Sequence, residues 1–299
     1  MTQYNKYIWL IDNIRRAGKI SFKELSKRWE EDKNMSGYQP LHRGTFNRWR
    51  DSIEKIFGIK IECQPSGGFV YYIKNAEDIE EDKLKQWMYD SLSLGNLISE
   101  NLYMKDRILV SEVPSGHNHL QELLRAMKEN RKVNLIYKPF KTMDKSDWLI
   151  EPYCVKLFDN RWYILGRTSE GDLQVFGLDR VVALEISEDT YKLPKNFDAS
   201  EYFSNYYGIV VDENVKPQRI ILQANKQSKE YIKSLPLHHS QKLIEESEYY
   251  ADFELYLAPT YDFVMKLLQH GAMVEVLKPE SLRQTLKGWI KDLNELYEN

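Results

Sequence analysis

The chain has 299 residues, 42% hydrophobic and 29% charged, with 14 Gly, 10 Pro, two Cys and a formal net charge of −3 at pH 7. That length calls for two or three folded cores, and the composition excludes long disordered tracts. Cys63 and Cys154 lack CxxC partners, which excludes a disulfide framework or cysteine-based zinc site, and no apolar run approaches the ~20 residues needed to span a bilayer, so a cytoplasmic protein without metal or cofactor is expected.

The charge is unevenly spread. Residues 1–75 hold fourteen Lys/Arg against eight Asp/Glu, a net +6 that leaves −9 for the remainder. An attraction for phosphate is thereby placed in the first quarter of the chain. Within it, Tyr7, Ile8, Leu10, Ile11 and Ile14 recur at helical spacing and stop at Gly18, which predicts a first helix over Tyr4 to Ala17. Ser21 and Glu24 have capping-box spacing ahead of Leu25 and Trp29, so a second helix starts at Ser21. A third, His42 to Phe57, turns Phe46, Trp49 and Ile53 inward and leaves Arg43, Thr45, Asn47, Arg48 and Arg50 outward or on its flanks. Alternating residues on either side of Pro65-Ser66-Gly67-Gly68 then predict a β-hairpin. Three helices and a hairpin in a basic segment outline a winged helix-turn-helix over residues 1–75.

Residues 76–112 read as a helical connector that opens on the acidic cluster Glu77, Asp78, Glu80, Glu81 and Asp82. In 113–192, a helix over His119 to Asn130 precedes five strand-like runs, Val133–Tyr137, Trp148–Lys156, Arg161–Thr168, Leu173–Phe176 and Val181–Ile186. Helix plus five short strands predicts a small barrel of the Sm or SH3 type. After a linker, 193–215, residues 216–299 predict the succession β-α-β-β-α-β-α, a ferredoxin-like pattern with one extra helix. The fold class expected is therefore α+β and multidomain.

The run Asn160-Arg161-Trp162-Tyr163-Ile164-Leu165-Gly166-Arg167 resembles the signature of WYL-domain regulators. Tyr137, Pro152 and Phe176-Gly177-Leu178-Asp179-Arg180-Val181 resemble the family's other landmarks, and Gly271 to Pro279 resembles the extension that often follows WYL domains. Ile164 stands where the family name has Leu, and Gly177 where many members carry Arg. The resemblance implies a ligand-responsive transcription regulator of bacterial type, usually a homodimer. Its central domain would bind nucleic acid or another anionic, nucleotide-like effector.

The candidate residues follow from this chemistry. Arg43, Asn47 and Arg48 suit base edges in the major groove, and Thr45, Arg50 and Lys60 suit phosphates of a double-stranded operator. In the central domain Tyr137 and Tyr163 supply rings, and Arg167 and Arg180 supply guanidinium groups for an anionic ligand. His117, His119, His238 and His239 lack metal-site spacing and read as surface histidines, and no phosphate loop or nucleophile elbow is present. Catalysis is not expected. A homodimeric repressor is the leading expectation; an RNA- or single-strand-binding module and a protein-interaction adaptor remain open.

Overall fold

The computed structural model describes residues 3–66, 68–77, 82–100, 106–109, 116–140, 142 and 144–298. It divides into two compact units, residues 1–111 and 112–299. Among the described residues no helix is long and apolar enough to cross a membrane.

The first unit contains α1 (Gln3–Ala17), β1 (Ile20–Ser21), α2 (Phe22–Glu31), a short α3 (Lys33–Ser36), α4 (Arg43–Phe57), β2 (Ile61–Gln64), β3 (Val70–Ile73) and α5 (Lys83–Glu100). Ser21 caps α2 by accepting the Glu24 amide at 3.2 Å, as the capping-box spacing requires. Gly58, at φ +66°, closes α4 in a left-handed conformation that a side chain would resist. The helices meet through Phe46, Trp49 and Ile53 of α4 and Ile8, Leu10, Ile11 and Ile14 of α1, all buried. Edge-to-face ring contacts run Trp9 to Trp29 at 4.9 Å, Trp29 to Trp49 at 5.2 Å and Phe46 to Tyr71 at 4.7 Å, contributing beyond simple area burial.

β2 and β3 pair as the expected hairpin, Ile61 opposite Ile73 and Gln64 opposite Val70. The two-residue β1, which alternation is too short to announce, adds to it through Ile20 opposite Tyr71. α5 is held to α1 by polar contacts: the Tyr89 hydroxyl donates to Asp12, Ser93 Oγ donates to Asp12 Oδ2 at 2.8 Å, and Arg15 pairs with Asp90 at 3.4 Å. Burial pushes the Tyr89 hydroxyl well above the usual tyrosine range. Asp78, Glu80 and Glu81 of the acidic cluster lie outside the described residues.

The second unit begins with α6 (Leu120–Glu129) and a five-stranded antiparallel sheet of β4 (Arg131–Tyr137), β5 (Ser146–Phe158), β6 (Arg161–Thr168), β7 (Leu173–Gly177) and β8 (Val181–Thr190), in the order β7-β6-β5-β4-β8. β5 is long, and a register shift between Pro152 and Cys154 bends it, as an extra residue in a ladder does. Leu123 and Ala126 of α6 pack with Val133, Leu135, Ile150, Ile164 and Phe176 of the sheet. Ile164 is fully buried there, so the apolar exchange within the WYL-like run is absorbed by the core.

The segment expected as a linker carries α7 (Ala199–Ser204), capped by Asp198, and is packed rather than loose. Tyr191 donates to the Pro152 carbonyl, Tyr153 stacks on Tyr191, and the Phe197 ring meets Tyr153 at 5.0 Å. Then follow β9 (Gln218–Asn225), α8 (Lys229–Ser234), β10 (Lys242–Glu246), β11 (Tyr250–Leu257), α9 (Tyr261–Gln269), β12 (Val274–Lys278) and α10 (Glu280–Glu298), with sheet order β10-β11-β9-β12. The adjacent pairs are antiparallel.

His238 corrects an expectation. It is buried and bonds the Ser204 carbonyl at 2.9 Å and Ser240 Oγ at 2.7 Å, with His239 on the same carbonyl at 2.8 Å. His238 thus ties the β10 side of the domain to α7 from within the core, while His239 is exposed, as expected.

Lys156 donates from Nζ to the Gly208 carbonyl at 2.7 Å and lies 4.0 Å over the Phe203 ring. Burial pushes its pKa down to about 8. Between about 8 and 10.5 the unfolded chain holds a proton that the folded chain has released, so this buried group opposes folding below about 8 and opposes it less as pH rises through that window. Denaturant unfolding at pH 7.5 and 9, in wild type and Lys156→Met, should therefore show the difference shifting toward wild type at the higher pH.

Candidate nucleic-acid interface and anion site

α4 presents Arg43, Asn47 and Arg48 to solvent. Arg43 and Asn47, four residues apart, lie one above the other, and Arg48 is about 100° further round, so the three span the exposed arc of the helix's first two turns, with Arg43 on the flank next to α2. The described ion pairs of this unit use Arg15, Lys27, Arg28, Lys60, Lys74 and Lys85, and neither Arg43 nor Arg48 enters one. The Arg43 guanidinium sits 4.7 Å over the Phe22 ring, and Arg48 donates to Thr45 Oγ1 at 3.4 Å. His42 makes no side-chain cap bond at this N-terminus, which leaves the helix dipole directed at whatever anion approaches.

The other two candidates are placed differently. Arg50 turns inward: Nε and a terminal nitrogen both donate to the Ile61 carbonyl, at 3.0 and 2.7 Å, and the group lies 5.3 Å from the Tyr71 ring. It therefore joins α4 to the hairpin rather than reaching toward a phosphate. Lys60 is exposed but sits 3.8 Å from Glu54.

In the second unit, the Arg180 guanidinium lies 5.8 Å from the Tyr137 ring centre, 5.2 Å from Phe140 and 5.9 Å from Tyr163. Its Nε donates to Asp179 Oδ1 at 3.3 Å, while Arg161 donates to Asp179 Oδ2 at 3.1 Å. Two cations thus converge on one carboxylate beside three aromatic rings. Tyr137 and Tyr163 are nearly buried, and burial pushes both hydroxyls upward, against the pull of Arg180. They present neutral rings, and the Tyr137 hydroxyl accepts the Gly177 amide at 3.3 Å.

Gly177 has a clear spatial reason. A Cβ there would collide with the end of the Arg180 side chain, so the Arg180 guanidinium occupies the space that any side chain at 177 would enter. Because the obstacle is the tip of a flexible side chain, Gly177→Ala should expel that guanidinium without breaking the backbone of the sheet. A cooperative thermal transition no lower than that of Arg180→Ala, together with anion affinity as weak as that of Arg180→Ala, is the expected result.

Arg167 is not brought to this cluster. It stands four residues beyond Tyr163 on β6, about 13 Å along the strand, and its Nε donates to the Gly171 carbonyl at 3.1 Å. Phe140, Arg161 and Asp179 are the members that residue patterns missed. Phe140 follows the end of β4, and no periodicity marks it; Asp179, beside Arg180, carried a signal only as a companion charge.

Comparison with known proteins matches the WYL domain to residues 118–186 and the WCX domain to residues 216–293. No curated protein matches. Among solved structures, proteasome accessory factor B/C (PafBC) of Arthrobacter aurescens is similar at 14% identity and TM-score 0.37, over 95% of this chain and 45% of that one. The chain thus spans under half the length of that relative. A second structure, titled as a CRISPR Cas-related protein, is similar at 10% identity and TM-score 0.40, over 99% of this chain and 83% of the other. At these values neither likeness bears on function. The family matches identify residues 118–186, which carry the run Arg161-Trp162-Tyr163-Ile164-Leu165 on β6, as a WYL domain, and residues 216–293 as a WCX domain that follows it.

Proposed function

We propose that this protein is a DNA-binding transcription regulator whose WYL domain binds an anionic, nucleotide-like effector. The observation that carries the reading is the solvent-facing group Arg43, Asn47 and Arg48, without a carboxylate partner among the described residues, on a helix that leads into a β-hairpin. Read as a winged helix-turn-helix, α4 enters the major groove, where Arg meets guanine and Asn meets adenine, and the hairpin stays near the backbone. The bent five-stranded sheet is read as an Sm/SH3-like barrel, and the order β12-β9-β11-β10 supports a ferredoxin-like final domain.

At the effector site the chemistry is exchange. Asp179 holds Arg161 and Arg180; a phosphate offers more oxygens and more charge than that carboxylate and competes for both guanidinium groups, while Phe140 supplies an exposed ring for a base. Regulation requires the effector to bind the DNA-free and DNA-bound forms with different affinity. The protein acts as a cytoplasmic homodimer, with two α4 helices on a pseudo-palindromic operator, and represses by occupying it.

Selection from a random duplex library, followed by titration of short oligonucleotides into the protein–duplex complex, tests both halves. A selected motif whose affinity changes on oligonucleotide binding supports the reading; a selected motif with equal affinity in both states removes effector control. The rings around Arg180 also favour a second reading, a single-strand or RNA binder, which would appear as enrichment of single strands and no duplex motif.

A further inference from the structure

The segment that leads from the WYL domain into the WCX domain is gripped from both sides. On the WYL side, Lys156 Nζ donates to the Gly208 carbonyl at 2.7 Å, and Phe158 meets the Tyr207 ring edge-on at 5.7 Å. On the WCX side, Asp262 Oδ2, in the first turn of α9, accepts the Ile209 and Val210 amides at 2.7 and 2.8 Å, and Tyr207 lies 5.9 Å from Phe263. Gly208 is buried between the two grips. A Cβ there would collide with the Asp262 carboxylate, so the close approach of that side chain to the segment requires glycine.

The two WYL residues that hold the segment are also the cross-strand neighbours of the effector cluster. Phe158 pairs with Arg161 and Lys156 with Tyr163, and on its other side Tyr163 pairs with Gly177, over which the Arg180 guanidinium lies. Paired residues of an antiparallel ladder point to the same face, on strands about 4.8 Å apart. Arg180, Tyr163 and Lys156 therefore form one row across a face of the sheet, and Arg161 and Phe158 belong to the next. Asp262 acts electrostatically on both Lys156 and Tyr163. Lys156 differs from the two arginines in its partner: they share the Asp179 carboxylate, whereas it is held by a neutral carbonyl and the Phe203 ring.

We propose that residues 207–210 form a latch between the effector face and the WCX domain, and that an anionic effector opens it by taking Lys156 from the Gly208 carbonyl. The latch rests on the effector site in the proposed function and gives that site a route to the next domain. A phosphate accepts from an ammonium more strongly than a neutral carbonyl does. The row places Lys156 two strand spacings, roughly 10 Å, from Arg180, a distance that a short oligonucleotide bridges. Once Lys156 is withdrawn, the carboxylate of Asp262 alone holds the Ile209 and Val210 amides, and their movement reaches the first turn of α9. Coupling of this kind is reciprocal, so loosening the grip from the WCX side must tighten binding at the effector face.

The test is amide hydrogen exchange of Ile209 and Val210 in the full chain, read by NMR, with a short 5′-phosphorylated oligonucleotide as the probe and isothermal titration as the measure of its affinity. In wild type, saturation with the oligonucleotide should speed exchange at these two amides by about tenfold. In Lys156→Met their exchange should already be fast without the oligonucleotide and gain nothing from it. Asp262→Asn, which leaves every residue of the effector cluster in place, should tighten oligonucleotide binding about three- to tenfold. A carboxylate that only stabilises the WCX domain would lower the unfolding midpoint in that variant and leave the affinity as it was. Unchanged exchange in oligonucleotide-saturated wild type, or unchanged affinity in Asp262→Asn, overturns the latch and leaves the effector site standing. Failure of wild type to bind the oligonucleotide overturns both.

Discussion

Alanine at both Arg43 and Arg48 is expected to lower affinity for the selected duplex by at least about 30-fold, from roughly 1–3 kcal/mol for each base-reading arginine. The loss should fall on binding alone. Both side chains are exposed, neither joins an ion pair among the described residues, and their removal opens no cavity. Arg50→Ala provides the contrast, because it deletes both donors to the Ile61 carbonyl. It should lower the unfolding midpoint of the first unit before it affects base preference. Fluorescence anisotropy and denaturant unfolding on the three proteins separate the two roles. If the arginines contact phosphate instead, the salt slope falls by about one per residue with sequence preference unchanged.

Arg180→Ala is expected to weaken binding of a short 5′-phosphorylated oligonucleotide by roughly 10- to 100-fold, the worth of one charge-assisted hydrogen bond at ~1.5–3 kcal/mol. Asp179→Asn should act in the opposite direction. Removing the carboxylate charge releases Arg161 and Arg180 from their internal partner, so ligand no longer competes for them and affinity rises. Opposite signs from adjacent residues are hard to obtain from a general loss of structure. Isothermal titration on both variants reads the signs directly; equal losses in the two would show the trio to be a structural ion-pair cluster. Arg167→Ala, on the far part of β6, should leave this affinity unchanged.

Periodicity made most elements legible before any coordinates. The inward residues of α4, Phe46, Trp49 and Ile53, stand at helical spacing, and all three are buried. Strands β4 to β8 lie where short runs between turn signals placed them. Pattern failed where tertiary pairing decides: β1 is strand only because Ile20 lies opposite Tyr71, and α7 gains its order from the packed aromatics of 191–203. The same distinction applies to sites. Outward position on a helix followed from spacing and identified Arg43, Asn47 and Arg48. Direction of a long side chain did not, so Arg50 turns to Ile61 and Arg167 to Gly171, while Phe140 and Asp179 joined Arg180 only in three dimensions.

The central claim is that the exposed face of α4 reads duplex DNA. Its most direct test is affinity of the full chain for its selected duplex, a scrambled duplex and the corresponding single strand across a salt series, in wild type and Arg48→Ala. Preference for the selected duplex, steep salt dependence and loss of preference in Arg48→Ala are predicted. Equal binding to selected and scrambled duplexes, or tighter binding to the single strand that Arg48→Ala leaves intact, would contradict it.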